Sequence, residues 1–256
     1  PNDDPYASLV DPGLAYFRLL ADRQLPLVEN LVEAIRSDDL SQALDAYVDS
    51  RPPYEQIEVL AGDFEGTDTD IDARPASFDW GETDESFKGF HRIEMLLFGE
   101  EDLNSALPYA EELVESVKLL RQNLDERERF SSAGQFGGMI GLANEIGAKK
   151  ITSEEETWSD QSLLIFRHNF RGIYSQYNAY AGLVRSLNEQ VATDATAAFR
   201  RAEKSVRAFF RPFSTGSTIG FSQVPNSDRR EIVRASNQLR DALVASAETL
   251  DLAESL

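Results

Sequence analysis

Apolar residues recur along most of the chain at the three-to-four-residue spacing that places them on one face of an α-helix. This pattern predicts helices over residues 27–35, 40–47, 113–124 and 232–250. The polar residues 37–39 separate the first two helices and offer N-cap side chains to the second. No segment shows the sustained two-residue alternation of a strand, so we predict an all-α fold.

A further long helix is predicted to follow Ser153. Apolar residues continue at helical spacing from Trp158 to Leu187, and Ser153-Glu154-Glu155-Glu156 resembles a capping box. The glycine-rich residues 131–147 are typical of either a helix that its neighbours approach closely or a helix interrupted by a loop.

Two polar segments, residues 62–86 and 212–227, predict long loops, which in compact domains are usually functional or disordered. The remaining pattern predicts about seven or eight helices, enough for two four-helix bundles in one chain. We therefore predict a single domain over residues 1–256, with halves of about 1–129 and 130–256.

The charge and composition exclude several classes of protein. The net charge of −20 repels phosphate backbones, so nucleic-acid binding is not expected. The absence of cysteine excludes thiolate metal sites and cysteine nucleophiles. No stretch approaches the roughly 20 apolar residues of a membrane span, and we expect that any signal peptide or lipid-bearing cysteine has been removed from this chain.

The chain has only two histidines, and one of them lies in a pattern that suits metal binding. His91 and Glu94 are three residues apart, so on a helix they share a face and could present an imidazole and a carboxylate to one ion. An ordinary polar helix face would use the same residues. His168 lies in an aromatic helix and is interpreted as structural or surface-exposed.

Other acidic residues could complete such a site. Glu55 and Glu58 have the same spacing, and Glu154 and Glu155 open the predicted long helix. Residues 68–74 offer loop carboxylates without the spacing of an EF-hand. Carboxylates with one imidazole suit iron, manganese or zinc better than copper(I). Carboxylates gathered in one place repel one another without a cation, which favours a metal site.

His91 and these acidic residues lie in segments that resemble the imelysin-like family, which includes the EfeO and EfeM components of bacterial iron uptake. Residues 89–94 resemble the family signature Gly-x-His-x-x-Glu. Three other segments resemble family segments in the same order: Arg51-Pro52-Pro53-Tyr54-Glu55-Gln56-Ile57-Glu58, Asp70-Ile71-Asp72-Ala73-Arg74 and Lys150-Ile151-Thr152-Ser153-Glu154-Glu155. Asn169 and Gly172 also match, so the similarity extends over about residues 27–172.

The resemblance implies paired helical bundles with a metal site in the cleft between them. It implies iron, Fe3+ or Fe2+, as the bound ion, with zinc or copper as alternatives. The metal ligands that it implies are Glu55, Glu58, Asp72, His91, Glu94 and Glu154, and the weaker candidates are Glu111 and Glu155.

The resemblance also implies a periplasmic or cell-surface protein that delivers its ion to a membrane iron permease, with a haem peroxidase of the same system as a further partner. The length suggests the short EfeM type, without a cupredoxin domain. In one segment the chain departs from the family, because Asp160 and Ser162 replace the usual histidine and aspartate. This departure bears on the metal preference.

Two other functions compete with this interpretation. A zinc metallopeptidase needs an open coordination position and a general base, but the chain has no His-Glu-x-x-His motif. We therefore predict that the protein is not an enzyme. The other alternative is a non-catalytic module that binds a polymer or a partner protein, with solvated carboxylates.

Overall fold

The computed structural model describes residues 4–152 and 155–253. These residues form ten α-helices, joined by short helical turns and loops, and contain no strand. The all-α fold class is confirmed. The helices are α1 (Ala7–Arg36), α2 (Leu40–Ile57), α3 (Glu65–Asp72), α4 (Phe90–Glu94), α5 (Leu103–Asn123), α6 (Ser132–Ala148), α7 (Ser162–Tyr177), α8 (Ala181–Leu187), α9 (Glu189–Arg207) and α10 (Asn226–Thr249).

The periodic segments form the long helices that the sequence predicts. α2 begins where the Asp39 side chain accepts a hydrogen bond from the Gln42 backbone N–H at 3.1 Å, which is the N-cap expected after the polar break. α1 packs against α2 and α5, while α10 packs against α6 and α9. α7 contacts both α2 and α6. The division into two four-helix bundles stays a prediction.

The helix predicted to start after Ser153 begins later and is shorter. α7 starts at Ser162, and α8 is a separate helix. Trp158 lies before α7, and Asp160 adopts a φ of 60°, which ends any helical continuation there. The acidic residues ahead of Asp160 instead turn inward and form buried ion pairs, so this part of the prediction is wrong.

The segments predicted as loops contain more structure than expected. Residues 62–86 include α3 and two short 3-10 turns, Pro75–Ser77 and Gly81–Thr83. The glycine-rich residues 131–147 form the uninterrupted helix α6. These additions, with the separate α8, raise the number of helices above the predicted seven or eight.

Several charged side chains lie inside the hydrophobic core. Arg51 and Lys150 are both 0% exposed and are among the largest fully buried side chains. They lie where the carboxyl ends of α2 and α3 meet α4, α7 and the segment that precedes α7. No helix in the described part of the chain is long and apolar enough to cross a membrane.

Candidate metal centre

The start of α4 places His91 beside the end of α3. Gly89 has a φ of 79°, and a Cβ there would lie 2.3 Å from the Ile71 carbonyl oxygen, so only glycine allows this approach. As a result, His91 Nε2 lies 3.5 Å from Asp72 Oδ1. The π-helical turn Met95–Gly99 follows directly, and such turns are frequent at functional sites.

Three side chains form what we call the histidine group: His91, Glu94 and Glu156. One ligand atom from each lies within 4.8 Å of the others, and all three side chains are buried. His91 Nδ1 is 3.2 Å from Glu94 Oε2. Glu94 Oε1 accepts hydrogen bonds from the backbone N–H groups of Trp158 at 2.9 Å and Ser159 at 2.8 Å, which fix the carboxylate against the segment before α7.

A second set, the triple-glutamate group, consists of Glu55, Glu58 and Glu155 and meets the same distance criterion. Lys150 Nζ donates to both Glu58 carboxylate oxygens at 2.8 Å and to Glu155 Oε1 at 2.7 Å. Asn169 Nδ2 donates to Glu55 Oε2 at 3.2 Å and Glu58 Oε2 at 2.8 Å. Arg74 Nη1 also lies 3.2 Å from Glu155 Oε2. Lys150 is therefore the cation that Glu58 and Glu155 share, while Glu155 has Arg74 as a second partner.

Asn169 reaches the triple-glutamate group because α7 approaches the end of α2 very closely. A Cβ at Gly172 would lie 2.3 Å from the Gln56 carbonyl oxygen. The same approach lets Asn169 Nδ2 donate to the Glu55 carbonyl oxygen at 2.7 Å. The amide thus joins the backbone and the side chains of α2 in one network.

The Arg51 guanidinium group links the two groups. It lies 2.8 Å from Glu55 of the triple-glutamate group and 2.8 Å from Glu156 of the histidine group. A third contact joins Nη1 to Asp72 Oδ1 at 2.7 Å. The guanidinium also lies over the Phe90 ring at 4.4 Å from its centroid, so this cation is held from several sides.

Burial and neighbouring charges shift the protonation equilibria of both groups. Burial raises the pKa of Glu58 to about 7, against the lowering effect of Lys150. Burial, together with the Glu94 charge, raises the pKa of Glu156 to about 8. Burial alone would also raise the pKa of Asp72, but Arg51 and His91 outweigh it and hold the pKa at about 2. For His91, burial lowers the pKa, but Asp72 and Glu94 outweigh it and raise the pKa overall.

A cavity of about 620 Å³ opens beside the triple-glutamate group. Its lining includes Glu58, Asp72 and Arg74, and Asp68, which accepts a hydrogen bond from the Tyr54 hydroxyl. No member of the histidine group is among the described residues that line it. Of the two groups, the triple-glutamate group is therefore the one in contact with the cavity.

Comparison with known proteins decides the family. The sequence model of the imelysin family matches residues 21–247. The chain belongs to the imelysin family. Iron uptake system component EfeO from Escherichia coli K12 and from Shigella boydii are each 29% identical to it over 218 residues, which make up 85% of this chain and 55% of the relative. The chain thus spans about half the length of these relatives.

A solved structure supports the fold of this imelysin-family chain. An iron-regulated protein A precursor from Parabacteroides distasonis superposes with a TM-score of 0.67 and covers 96% of this chain and 92% of its own. The two sequences are 15% identical, so the likeness concerns the fold alone.

Five of the six predicted ligands of this imelysin-family chain lie in or beside the two groups rather than around one point. Glu55 and Glu58 belong to one group, His91 and Glu94 belong to the other, and Asp72 contacts both through Arg51 and His91. The sixth, Glu154, lies outside the described residues.

The two weaker candidates have different outcomes. Glu155 is buried within the triple-glutamate group. Glu111 is exposed on α5 and pairs with Arg36 at 2.6 Å, and it lies in neither group.

The sequence patterns did not predict that Glu156, Arg51 and Lys150 belong to the site. All three lie within segments that were singled out, so proximity along the chain was the available signal. Asp160 and Ser162, which replace the usual family residues, form hydrogen bonds within the protein. Asp160 accepts hydrogen bonds from the Ser222 backbone N–H and hydroxyl, and Ser162 Oγ accepts one from the Glu156 N–H at 3.3 Å. Thus Asp160 anchors the loop before α10, and Ser162 supports the histidine group.

The second histidine, His168, is buried and lies in neither group. The Gln56 side-chain nitrogen lies 3.3 Å from His168 Nδ1. Burial, with the neighbouring Arg171 and Arg167, lowers the pKa of His168 to about 3. His168 thus stays neutral above that pH and belongs to neither group.

Proposed function

We propose that this protein binds an iron-class cation at the two buried groups and serves as the metal-binding component of an iron-uptake system. The ion, Fe3+ or Fe2+, is its cargo. The protein carries the cargo without breaking bonds and delivers it to a membrane permease.

One observation carries the proposal. His91 is 1% exposed, and its Nε2 atom has no hydrogen-bond partner among residues 4–152 and 155–253. A buried imidazole nitrogen without a hydrogen-bond partner destabilises the folded protein unless a ligand binds it. Asp72 Oδ1 lies 3.5 Å from this nitrogen, and Glu94 Oε2 lies 3.2 Å from the other ring nitrogen, Nδ1. Carboxylates on both sides of the ring support a cation as the missing partner.

The donor set favours a hard or borderline cation. Carboxylate oxygens with one imidazole suit iron, manganese or zinc, and this chain has no cysteine to offer a thiolate. Buried carboxylates with raised pKa values, such as Glu58 and Glu156, are costly to ionise without a cation. A bound metal would supply that charge.

The place of the protein in an uptake system rests on its relatives. The matched relatives are named as components of an iron uptake system, and this chain shares about half of their length. We infer from them an extracytoplasmic location, at the periplasm or cell surface. A membrane iron permease and a haem peroxidase of the same system are the partners we propose.

Metal analysis of single variants tests the binding function. Protein purified without chelator is expected to contain about one equivalent of iron or more after loading with Fe2+ under anaerobic conditions, whereas His91→Ala should lose the iron held by the histidine group. His168→Gln is the matched control, because it removes the other buried histidine outside both groups. Equal iron in all three proteins, or none in any, would contradict the proposal.

The same variants test the non-enzymatic role. The family model also carries a peptidase name, so casein is a suitable substrate for a cleavage assay. We expect no cleavage above buffer. Cleavage that is abolished by a chelator and by Glu94→Gln would show that the protein is a metallopeptidase and would contradict the proposed transport function.

A further inference from the structure

We propose that the Lys150 ammonium group occupies the cation position of the triple-glutamate group in the metal-free protein, and that a metal cation binds there by displacing it. This inference rests on the proposed function and adds a competing internal cation to it. Lys150 would thus set the affinity of one group without being a metal ligand.

The Lys150 ammonium group lies at the carboxylate oxygens that a bound cation would use. Lys150 Nζ lies 2.8 Å from both oxygens of Glu58 and 2.7 Å from Glu155 Oε1. The carboxylates of the triple-glutamate group offer oxygens within 4.8 Å of one another, so the ammonium group takes up the space that a cation bound to these oxygens would need.

The positive charges of the Lys150 ammonium group and of a metal cation prevent both from binding the same carboxylates. Lys150 is 0% exposed, and a buried ammonium group requires the carboxylates that neutralise it. A divalent or trivalent cation would bring more charge to the same oxygens and would repel the ammonium group at contact distance. Both cations cannot keep these contacts, so binding of the metal at these oxygens requires that Lys150 Nζ leaves.

The cavity beside Glu58 provides space into which the Lys150 side chain can move. The cavity of about 620 Å³ is lined by Glu58 and by the neighbouring residue Lys149, and Lys150 begins the short 3-10 turn Lys150–Thr152. A lysine has a flexible four-carbon stem, unlike the planar guanidinium of arginine. The cavity beside Glu58 therefore gives the metal access and gives the displaced side chain space.

The histidine group lacks such an exchangeable cation among the described residues. Its internal cation is Arg51, which is also bound to Glu55 and Asp72 and stacked on Phe90. Moving Arg51 would break all of these contacts together. Competition from an internal cation is therefore expected at the triple-glutamate group, through Lys150.

Calorimetric titration with Fe2+ under anaerobic conditions tests the competition. Lys150→Met removes the ammonium charge, so it should bind Fe2+ at least about tenfold more tightly than the unmodified protein, a gain of about 1.4 kcal/mol. Lys150→Arg keeps the charge and should show no such gain. Lys149→Met is the matched control, because that neighbouring lysine is exposed and its ammonium group pairs with Glu145 at 3.8 Å rather than with the triple-glutamate group.

The outcomes separate this inference from the proposed function. If Fe2+ binds the unmodified protein and Lys150→Met binds it equally or more weakly while retaining its helical circular dichroism, Lys150 is a structural partner and the inference is wrong. If Fe2+ binds neither protein, the proposed function fails and the inference fails with it.

A second measurement does not depend on the folding of Lys150→Met. In protein labelled with 15N-lysine, the buried Lys150 ammonium group should give a protected NMR resonance, assigned by its loss in Lys150→Arg. Saturation with diamagnetic Zn2+ is expected to shift that resonance or expose it to solvent exchange. Binding of Zn2+ in the calorimeter with an unchanged Lys150 resonance would overturn the inference.

Discussion

The two carboxylate groups differ in how their negative charge is held. In the histidine group, Glu94 accepts two backbone N–H hydrogen bonds, and Glu156 pairs with an arginine that other contacts fix. In the triple-glutamate group, one flexible lysine pairs with both Glu58 and Glu155 beside a cavity. Arg51 and Arg74 add one ion pair each, to Glu55 and to Glu155. The first group is preorganised, and the second has a cation that can be exchanged.

This difference suggests how one protein can both retain and release an ion. A preorganised group loses little entropy on binding and favours retention, whereas a group with its own competing cation returns to a neutralised state when the ion leaves. Asp72, which contacts Arg51 and approaches His91, lies between them.

The largest effect is expected when the cation shared by both groups is removed. Arg51→Met leaves Glu55, Asp72 and Glu156 without their common partner. Loss of one partner from a buried ion pair lowers the free energy of unfolding by about 3–5 kcal/mol, which urea denaturation at pH 7 would measure. A loss below about 1 kcal/mol, the range of exposed ion pairs, would contradict the fixed role of Arg51.

The free energy of unfolding of the metal-free protein should depend on pH through one glutamate from each group. The pKa values of Glu58 and Glu156 are raised to about 7 and about 8, so their protonated forms favour the folded state. Their contribution is complete below about pH 4.5 and is lost as the pH rises through the folded-state values.

Thermal or urea denaturation between pH 5 and pH 8.5 would measure this loss. Glu58→Gln should flatten the profile up to about pH 7, and Glu156→Gln should flatten it up to about pH 8, each by on the order of 1–3 kcal/mol. Saturating metal should also reduce the slope, since it compensates the ionised carboxylates. Profiles that are identical in both variants and in the unmodified protein would refute the assignment.

A smaller effect is expected from Asn169, which orients two members of the triple-glutamate group. Asn169→Ala should weaken Fe2+ binding by about tenfold or more, in the range found for residues that orient metal ligands. Titration calorimetry measures it, with Asn123→Ala as the control, because Asn123 is buried elsewhere and donates to Thr67. Unchanged affinity in Asn169→Ala, with a loss in Glu94→Gln, would restrict the metal to the histidine group.

The smallest effect is expected at the exposed candidate ligand. Glu111→Gln removes an exposed carboxylate that pairs with Arg36, so the loss of stability should stay below about 1 kcal/mol. Its Fe2+ affinity should equal that of the unmodified protein in the same titration. A clear loss of affinity would show that metal binds on the acidic surface as well.

Local rules predicted much of the fold. Three-to-four-residue spacing identified the long helices, and the polar break identified the N-cap Asp39. The start of α7 was missed because Glu155 and Glu156 satisfy their charges with Lys150 and Arg51 instead of continuing a helix. Such a choice depends on residues about 100 positions away, such as Arg51 for Glu156, and helical periodicity does not contain it.

The candidate site was predictable only in part for the same reason. The spacing of His91 and Glu94 places both on one face of a helix, so that pair could be identified from the sequence alone. Glu156 enters the site through the turn before α7, which lets Ser159 and Tyr47 donate to its carboxylate. Which buried cation neutralises which acid is decided by tertiary packing, so the segment that contains Lys150 did not show that Lys150 pairs with Glu58 and Glu155.

The most direct test of the central claim is an anomalous difference map, collected at the iron absorption edge, from crystals loaded with Fe2+ under anaerobic conditions. We expect an iron peak in contact with carboxylates of the triple-glutamate group, the histidine group, or both. Iron found only on exposed carboxylates such as Glu111, with no peak at either buried group, would contradict it.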